Sequence, residues 1–252
     1  MKQLNKVALA LATAGLLASG VAQAALNDRG GGLLYDDVLK VTWLQDANYA
    51  MTTGFATDGG RMDWATANTW ASSLNISRFA GESLTGWRLP VNTPVGPDWN
   101  YNHSYDGSTD YGYNITSPHS ELAYMYYVNL GLKAKYSTSG APQTDYGIFG
   151  DGTGFFGGQA NVGLVRNLQS GTYWSGTSYS ANPLFPDWAK WVMSTIHGQQ
   201  GDRDPEYLFR AWPVLPGDVA VAAIPEPETY SLMLAGLGLV GFIARRRSNL
   251  SV

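Results

Sequence analysis

Two apolar runs, one at each end, bracket 200 residues that lack cysteine, and this layout restricts any packed core to residues 25–224. The first run spans Val7 to about Val21, behind a short positive segment carrying Lys2 and Lys6, and closes on Ala22-Gln23-Ala24. A basic start, an apolar middle and a small-x-small close describe a secretory signal peptide. Signal peptidase is therefore expected to cut between Ala24 and Ala25. The alternative, an uncleaved anchor, fits less well, because the run is short and rich in Gly and Ala for a stable span. The second run, residues 229–244, contains no charge, and Arg245-Arg246-Arg247 follow at once. At about 1.5 Å per residue it reaches roughly 24 Å, a little short of a ~30 Å hydrocarbon core. Terminal arginines hold such a helix's end on the cytoplasmic side and snorkel to lengthen it. The expectation is a transmembrane helix with a basic tail over 229–252, tethering the chain to the inner membrane with the preceding domain outside.

Between these ends stand 11 Lys and Arg against 18 Asp and Glu, a net charge of −7. A domain of this sign is a poor nucleic-acid binder, since phosphate contacts dominate that affinity. Fifteen of the 18 carboxylates are Asp. Together with abundant Asn, Gly and Ser, they describe a chain rich in turns and loops. The absence of cysteine removes disulfides, thiol catalysis and zinc–thiolate sites. All nine tryptophans fall in this stretch, so many of them must form its core.

Hydrophobic patterning gives a mixed set of elements. Leu33-Leu34-Tyr35 and Val41-Thr42-Trp43-Leu44 read as short strands on either side of an Asp36-Asp37 turn. Residues 63–75 read as a helix capped by Asp63, with Trp64, Ala67, Ala71 and Leu74 on one face. Gly86-Trp87-Arg88-Leu89-Pro90 reads as a strand stopped by proline. Ser117-Pro118 reads as a cap and first turn of a second helix, carrying Leu122, Met125, Tyr126 and Leu130 and ended by Gly131. Tyr173-Trp174-Ser175, Trp188 to Met193 and Phe209 to Val214 read as strands.

Ahead of the C-terminal run lies Ile224-Pro225-Glu226-Pro227-Glu228. Two close prolines block helix and sheet and leave an extended, accessible peptide, which is what a processing enzyme at a membrane surface requires. Pro225-Glu226-Pro227, the apolar run and Arg245, Arg246 and Arg247 together resemble the PEP-CTERM sorting signal. The resemblance implies recognition by an exosortase of a Gram-negative bacterium, and association with exopolysaccharide or biofilm at the cell surface or in the extracellular matrix.

The domain carries a second resemblance. Trp43-Leu44-Gln45-Asp46-Ala47-Asn48, Trp64-Ala65 followed by Leu74, Gly86-Trp87-Arg88-Leu89-Pro90, Ser120-Glu121-Leu122, Tyr173-Trp174-Ser175-Gly176-Thr177 and Arg210-Ala211-Trp212-Pro213-Val214 occur in the order of the DUF1566 family. That family includes the C-terminal domain of a Legionella collagen-like adhesin. The similarity runs from about Leu33 to Val219. It implies a C-type-lectin-like α+β fold with two helices, short antiparallel strands and long loops, and glycan binding by analogy with the adhesin. The chain departs from the family pattern by two long inserts, Val91 to Thr116 and Lys133 to Ser170. The physical reading of the shared strings is scaffold: Trp87, Leu89, Trp174 and Trp212 are bulky residues at strand positions. Arg88 and Arg210 are expected in buried ion pairs with Glu121 or Asp46, because a buried arginine persists only when paired.

The expected layout is thus a signal peptide over 1–24, a lectin-fold domain over 25–219, a linker with the Pro-Glu-Pro motif over 220–228, and the tail over 229–252. The first insert supplies the best candidate surface. Asp98, Trp99, Asn100, Tyr101 and Tyr105 interleave aromatic faces with amides and carboxylates, and a sugar ring needs both. The plainer alternative is an acidic solvated loop packed by its own tyrosines. Asp98, Asp106, Asp110, Asp202 and Asp204 also raise calcium, a hard cation with oxygen ligands, although no stretch matches an EF-hand loop. Gly152-Thr153-Gly154-Phe155-Phe156-Gly157 spells a dinucleotide fingerprint without the strand–helix context it needs. Its expected role is a tight loop over which Phe149, Phe155 and Phe156 fold inward. His103, His119 and His197 show no ligand spacing, and no catalytic set or cofactor site stands out. The sequence therefore points to an exported, non-enzymatic binding protein for extracellular polysaccharide or a matrix partner. A structural matrix protein without a ligand is the second reading, and a polysaccharide hydrolase the third.

Overall fold

The computed structural model describes residues 26–77, 83–180, 187–219 and 233–237. The chain divides into two units, Met1–Val219 and Ala220–Val252. The signal peptide, the Ala24–Ala25 junction, Pro225 to Pro227 and Arg245 to Arg247 lie outside the described residues. In the second unit only residues 233–237 are described, as one exposed helical stretch. Among the described residues no helix is long and apolar enough to cross a membrane. The spanning helix expected over 229–252 is therefore not seen there; five of its residues are helical and the rest fall outside.

The first unit is built on two sheets. A four-stranded antiparallel sheet takes the order β1 (Leu26–Gly30), β2 (Leu33–Asp36), β3 (Val41–Leu44) and β15 (Val214–Pro216), so both ends of the domain meet in it. A seven-stranded mixed sheet runs β4 (Arg61–Met62), β14 (Phe209–Arg210), β11 (Thr172–Tyr179), β12 (Ala189–Ser194), β13 (Gln199–Arg203), β8 (Tyr111–Gly112) and β7 (His103–Ser104). Two hairpins stand apart, β5 (Ile76–Ser77) with β6 (Ser83–Leu84), and β9 (Gln159–Val162) with β10 (Val165–Gln169). The helices are α1 (Tyr49–Thr52), α2 (Trp64–Ser73) and α3 (Glu121–Tyr124), the last continuing as a π-helical turn over Met125–Asn129.

The α2 expectation holds because its signal is local. The Asp63 carboxylate accepts Thr66 N–H at 2.7 Å, and Ala67, Trp70 and Ala71 face the core. The second helix differs from its expected start. Its cap is Ser120, whose hydroxyl accepts Ala123 N–H, and Ser117-Pro118 lies in the preceding turn. The competing cap wins because its surroundings are fixed from elsewhere: Thr93 N–H donates to His119 O at 2.7 Å, and the Ser120 hydroxyl also bonds Gln200. The expected strand over Phe209 to Val214 is two strands in different sheets, with Trp212 buried at the crossing. Gly86 to Pro90 forms only a single bridge, Arg88 to Val214.

That short string nevertheless joins the sheets. Trp87 packs in the larger core with Trp43, Tyr173 and Trp212, while Leu89 packs with Trp70, Trp174 and Val192 under α2. Pro90 O accepts Gly176 N–H at 2.7 Å and the Ser175 hydroxyl at 3.0 Å. A buried indole usually finds a partner for its N–H, and backbone carbonyls supply that partner to three of the core tryptophans. Trp212 donates to Leu44 O, Trp87 to Leu84 O and Trp174 to Met62 O. The Arg88 guanidinium grips Glu121 through both nitrogens, at 2.7 and 2.8 Å, and Glu121 also accepts Val91 N–H at 2.7 Å. Arg210 differs from expectation: its Nε donates to Gly59 O at 3.0 Å rather than to Asp46 or Glu121. Phe149 is 40% exposed, so it does not fold inward as expected, and the side chains of Phe155 and Phe156 are outside those described.

Candidate functional site: a cleft on the first insert

Residues 91–116 leave the core at Pro90 and return to it at α3. One buried carboxylate organises the excursion. Asp110, 1% exposed, accepts Val95 N–H and Asn100 N–H, both at 2.7 Å, and so closes residues 95–110 into a loop. Asp110 O in turn accepts the Gln200 amide at 2.8 Å, and Gln200 bonds Ser120 at the start of α3. The loop is thereby tied to β13 and to the second helix. Gly112 lets β7 and β8 close: at φ +127°, a Cβ there would lie 2.0 Å from Ser104 O. Replacing Asp110 by Ala is expected to lower stability by about 2 kcal/mol, since charge-assisted bonds to two backbone donors disappear. Hydrogen exchange should quicken at Val95 and Asn100 while Trp174 and Val192 stay protected; a uniform change across the domain would speak against a local staple.

The aromatic residues of the insert meet partners from the sheet. In β12, alternation turns Ala189, Trp191 and Met193 to one face and Lys190 and Val192 to the α2 side. Trp99 stacks on Trp191 at 5.4 Å between centroids, and Tyr101 lies 6.1 Å from the same ring. Tyr179 meets both Tyr101 and Trp191 edge-on at 4.9 Å. Trp188, half exposed, stands at the edge of Tyr179. Burial pushes the Tyr179 phenol up to about 12, with nearby Asp202 adding to the rise, so it stays neutral at physiological pH.

Of the candidate residues, Asp98, Trp99 and Asn100 come together in one cleft of about 400 Å³, which Asn102, Ser108, Thr109 and Asp110 also line. Tyr101 is not in that wall; it packs beneath, against Trp191. Tyr105 belongs to a different group, with His103, Tyr113 and Tyr136 within 4.9 to 5.9 Å. The plainer alternative from the sequence is thus partly realised, because these rings serve largely as packing. Sequence reasoning missed Trp191 and Tyr179 as partners of these rings; the alternation in β12 is a signal that could have found Trp191.

Three of the five carboxylates considered for calcium have other occupations. Asp110 takes up backbone N–H groups, Asp106 accepts the Ser108 hydroxyl at 2.6 Å, and Asp204 accepts Glu206 N–H at 2.9 Å. Among the described residues no group of three His, Asp or Glu side chains is placed to hold a metal ion. His119 pairs with Thr93 at 2.8 Å on the surface, and Asn114 donates its side-chain amide to Tyr105 O and Tyr136 O. A second cleft of about 300 Å³ is lined by Gln45, Asp46, Tyr49, Ile76 and Arg166 among others.

Comparison with family models finds the PEP-CTERM protein-sorting motif over residues 223–247. The motif marks the chain as an exported protein that an exosortase handles, with a cell-surface or extracellular fate. No curated protein and no solved structure matched the chain.

Proposed function

We propose that residues 25–219 form a DUF1566-like, C-type-lectin-like module that binds extracellular polysaccharide without catalysis, delivered to the outside by the sorting tail. The observation that carries this reading is the Asp98–Trp99–Asn100 cleft. Its backbone is held in advance by Asp110, so little conformational freedom remains to be lost when a ligand enters. Its wall combines an indole with carboxylate, amide and hydroxyl groups, the mixture that sugar recognition uses. Catalysis does not belong to the proposal: glycoside hydrolysis needs two placed carboxylates, and both oxygens of Asp110 already accept backbone N–H bonds.

The test is binding of the exported protein, purified from its producing cells, to a glycan array. The Asp98→Ala/Asn100→Ala double variant should bind at least about tenfold more weakly. Its melting temperature should fall by no more than about 2 °C, because both side chains are exposed and the one bond lost, Asn102 N–H to the Asn100 carbonyl, is exposed too. Equal binding by the variant would remove the cleft from the proposal. The structural-matrix reading keeps one specific observation in its favour: Trp99 and Tyr101 spend ring surface on Trp191 and Tyr179. An array on which the intact protein binds nothing would favour it.

A further inference from the structure

We infer that the cleft selects uncharged polysaccharide and rejects acidic polymers; this rests on the binding reading just proposed. The wall of the cleft carries Asp98 and Asp110 and contains no Lys, Arg or His. The whole insert, residues 91–116, has three Asp and no Lys or Arg, within a domain of net charge −7. A uronate, sulfate or phosphate entering there would surrender its hydration to a site that offers no cation, beside carboxylates of its own sign.

The donor and acceptor pattern suits hydroxyl groups instead. The exposed Asp98 carboxylate is an acceptor only, and two vicinal sugar hydroxyls fit its two oxygens. Asn100 uses its side-chain carbonyl to accept Asn102 N–H at 3.2 Å, which leaves its amide N–H groups to donate to ring or hydroxyl oxygens. Asn102, exposed, supplies both donor and acceptor. Trp99, braced from below by Trp191, offers apolar surface to the CH face of a pyranose. Every one of these contacts is available to a neutral hexose chain. An amino-sugar polymer would gain charge attraction, but that attraction fades with salt, whereas hydroxyl bonding and ring stacking do not.

The experiment titrates the exported protein with three probes: a neutral glucan oligosaccharide, an oligogalacturonate and a chitosan oligomer, at about 50 and about 500 mM salt. The expected result is binding of the neutral oligomer that changes less than about threefold with salt, and no measurable binding of the oligogalacturonate. Asp98→Asn should retain neutral binding within about fivefold, since an amide also accepts a hydroxyl, while Asp98→Ala should lose about tenfold or more. Preferred binding of the oligogalacturonate, reduced by Asn100→Ala, would overturn the charge selection and leave the cleft as the site. Chitosan binding that collapses in high salt and in Asp98→Asn would overturn it in the opposite direction. Failure of all three probes would instead fall on the underlying binding reading.

Discussion

Replacing Glu121 by Ala is expected to destabilise the domain by about 3 to 5 kcal/mol. Glu121 is 7% exposed and holds three donors at once: both terminal nitrogens of Arg88 and the backbone of Val91. Its loss leaves a guanidinium without a counter-charge between the Gly86–Pro90 string and α3. The Arg88 side chain is one-third accessible, so water relieves part of that penalty and the lower end of the range applies. For a domain of this size the melting temperature should fall by roughly 6 to 12 °C. Thermal unfolding of Glu121→Ala, Arg88→Met and the double variant gives the coupling directly. A double variant more stable than Glu121→Ala alone is expected, because an unpaired buried charge costs more than an apolar replacement of the pair. A shift below about 2 °C for Glu121→Ala would show that the contact contributes little.

The second large effect concerns delivery. Changing Pro225, Glu226 and Pro227 together to Ala should stop surface delivery, with nearly all the protein retained in the inner-membrane fraction. The substitution removes the two φ-locking rings and the one acidic side chain between them, so the segment loses both its extended bias and its charge. The residues lie within the matched sorting motif, 223–247. The folded domain ends before them, at Val219, so its melting temperature should not change. Fractionation of cells producing the intact chain, the triple variant and a chain ending at Val219 separates the outcomes. Equal surface yield of the triple variant would show that recognition does not use Pro-Glu-Pro. Equal surface yield of the truncated chain would remove the tail from sorting altogether.

Several features of the domain were readable because they depend on neighbours in sequence. Asp63 caps α2 three residues away, the Leu33 and Val41 strands pair across the Asp36-Asp37 turn, and the apolar weight of Trp87, Leu89, Trp174 and Trp212 makes them core wherever the chain folds. The pairing of Arg88 with Glu121, rather than Asp46, was narrowed to two partners by the cost of burying a lone guanidinium. Other features were hidden because their stabilisation comes from distant partners. β13 reads Gln199-Gln200-Gly201-Asp202-Arg203, with no apolar alternation; it is a strand because β12 offers it a full register of backbone partners.

The sequence by itself determined where the chain goes and what its core is made of, since export and sorting signals are linear peptides and hydrophobicity is a property of each residue. It also placed Asp98, Trp99 and Asn100 together in one long segment between Pro90 and the second helix. Only the tertiary structure decided that these three form a cleft while Tyr101 and Tyr105 do not. The reason is that Trp191 and Tyr179, some 80 to 90 residues away, take up the Tyr101 ring, and the buried Asp110 carboxylate draws Val95 and Asn100 together. Long-range pairings of that kind are selected by sheet register and burial, which no local pattern records.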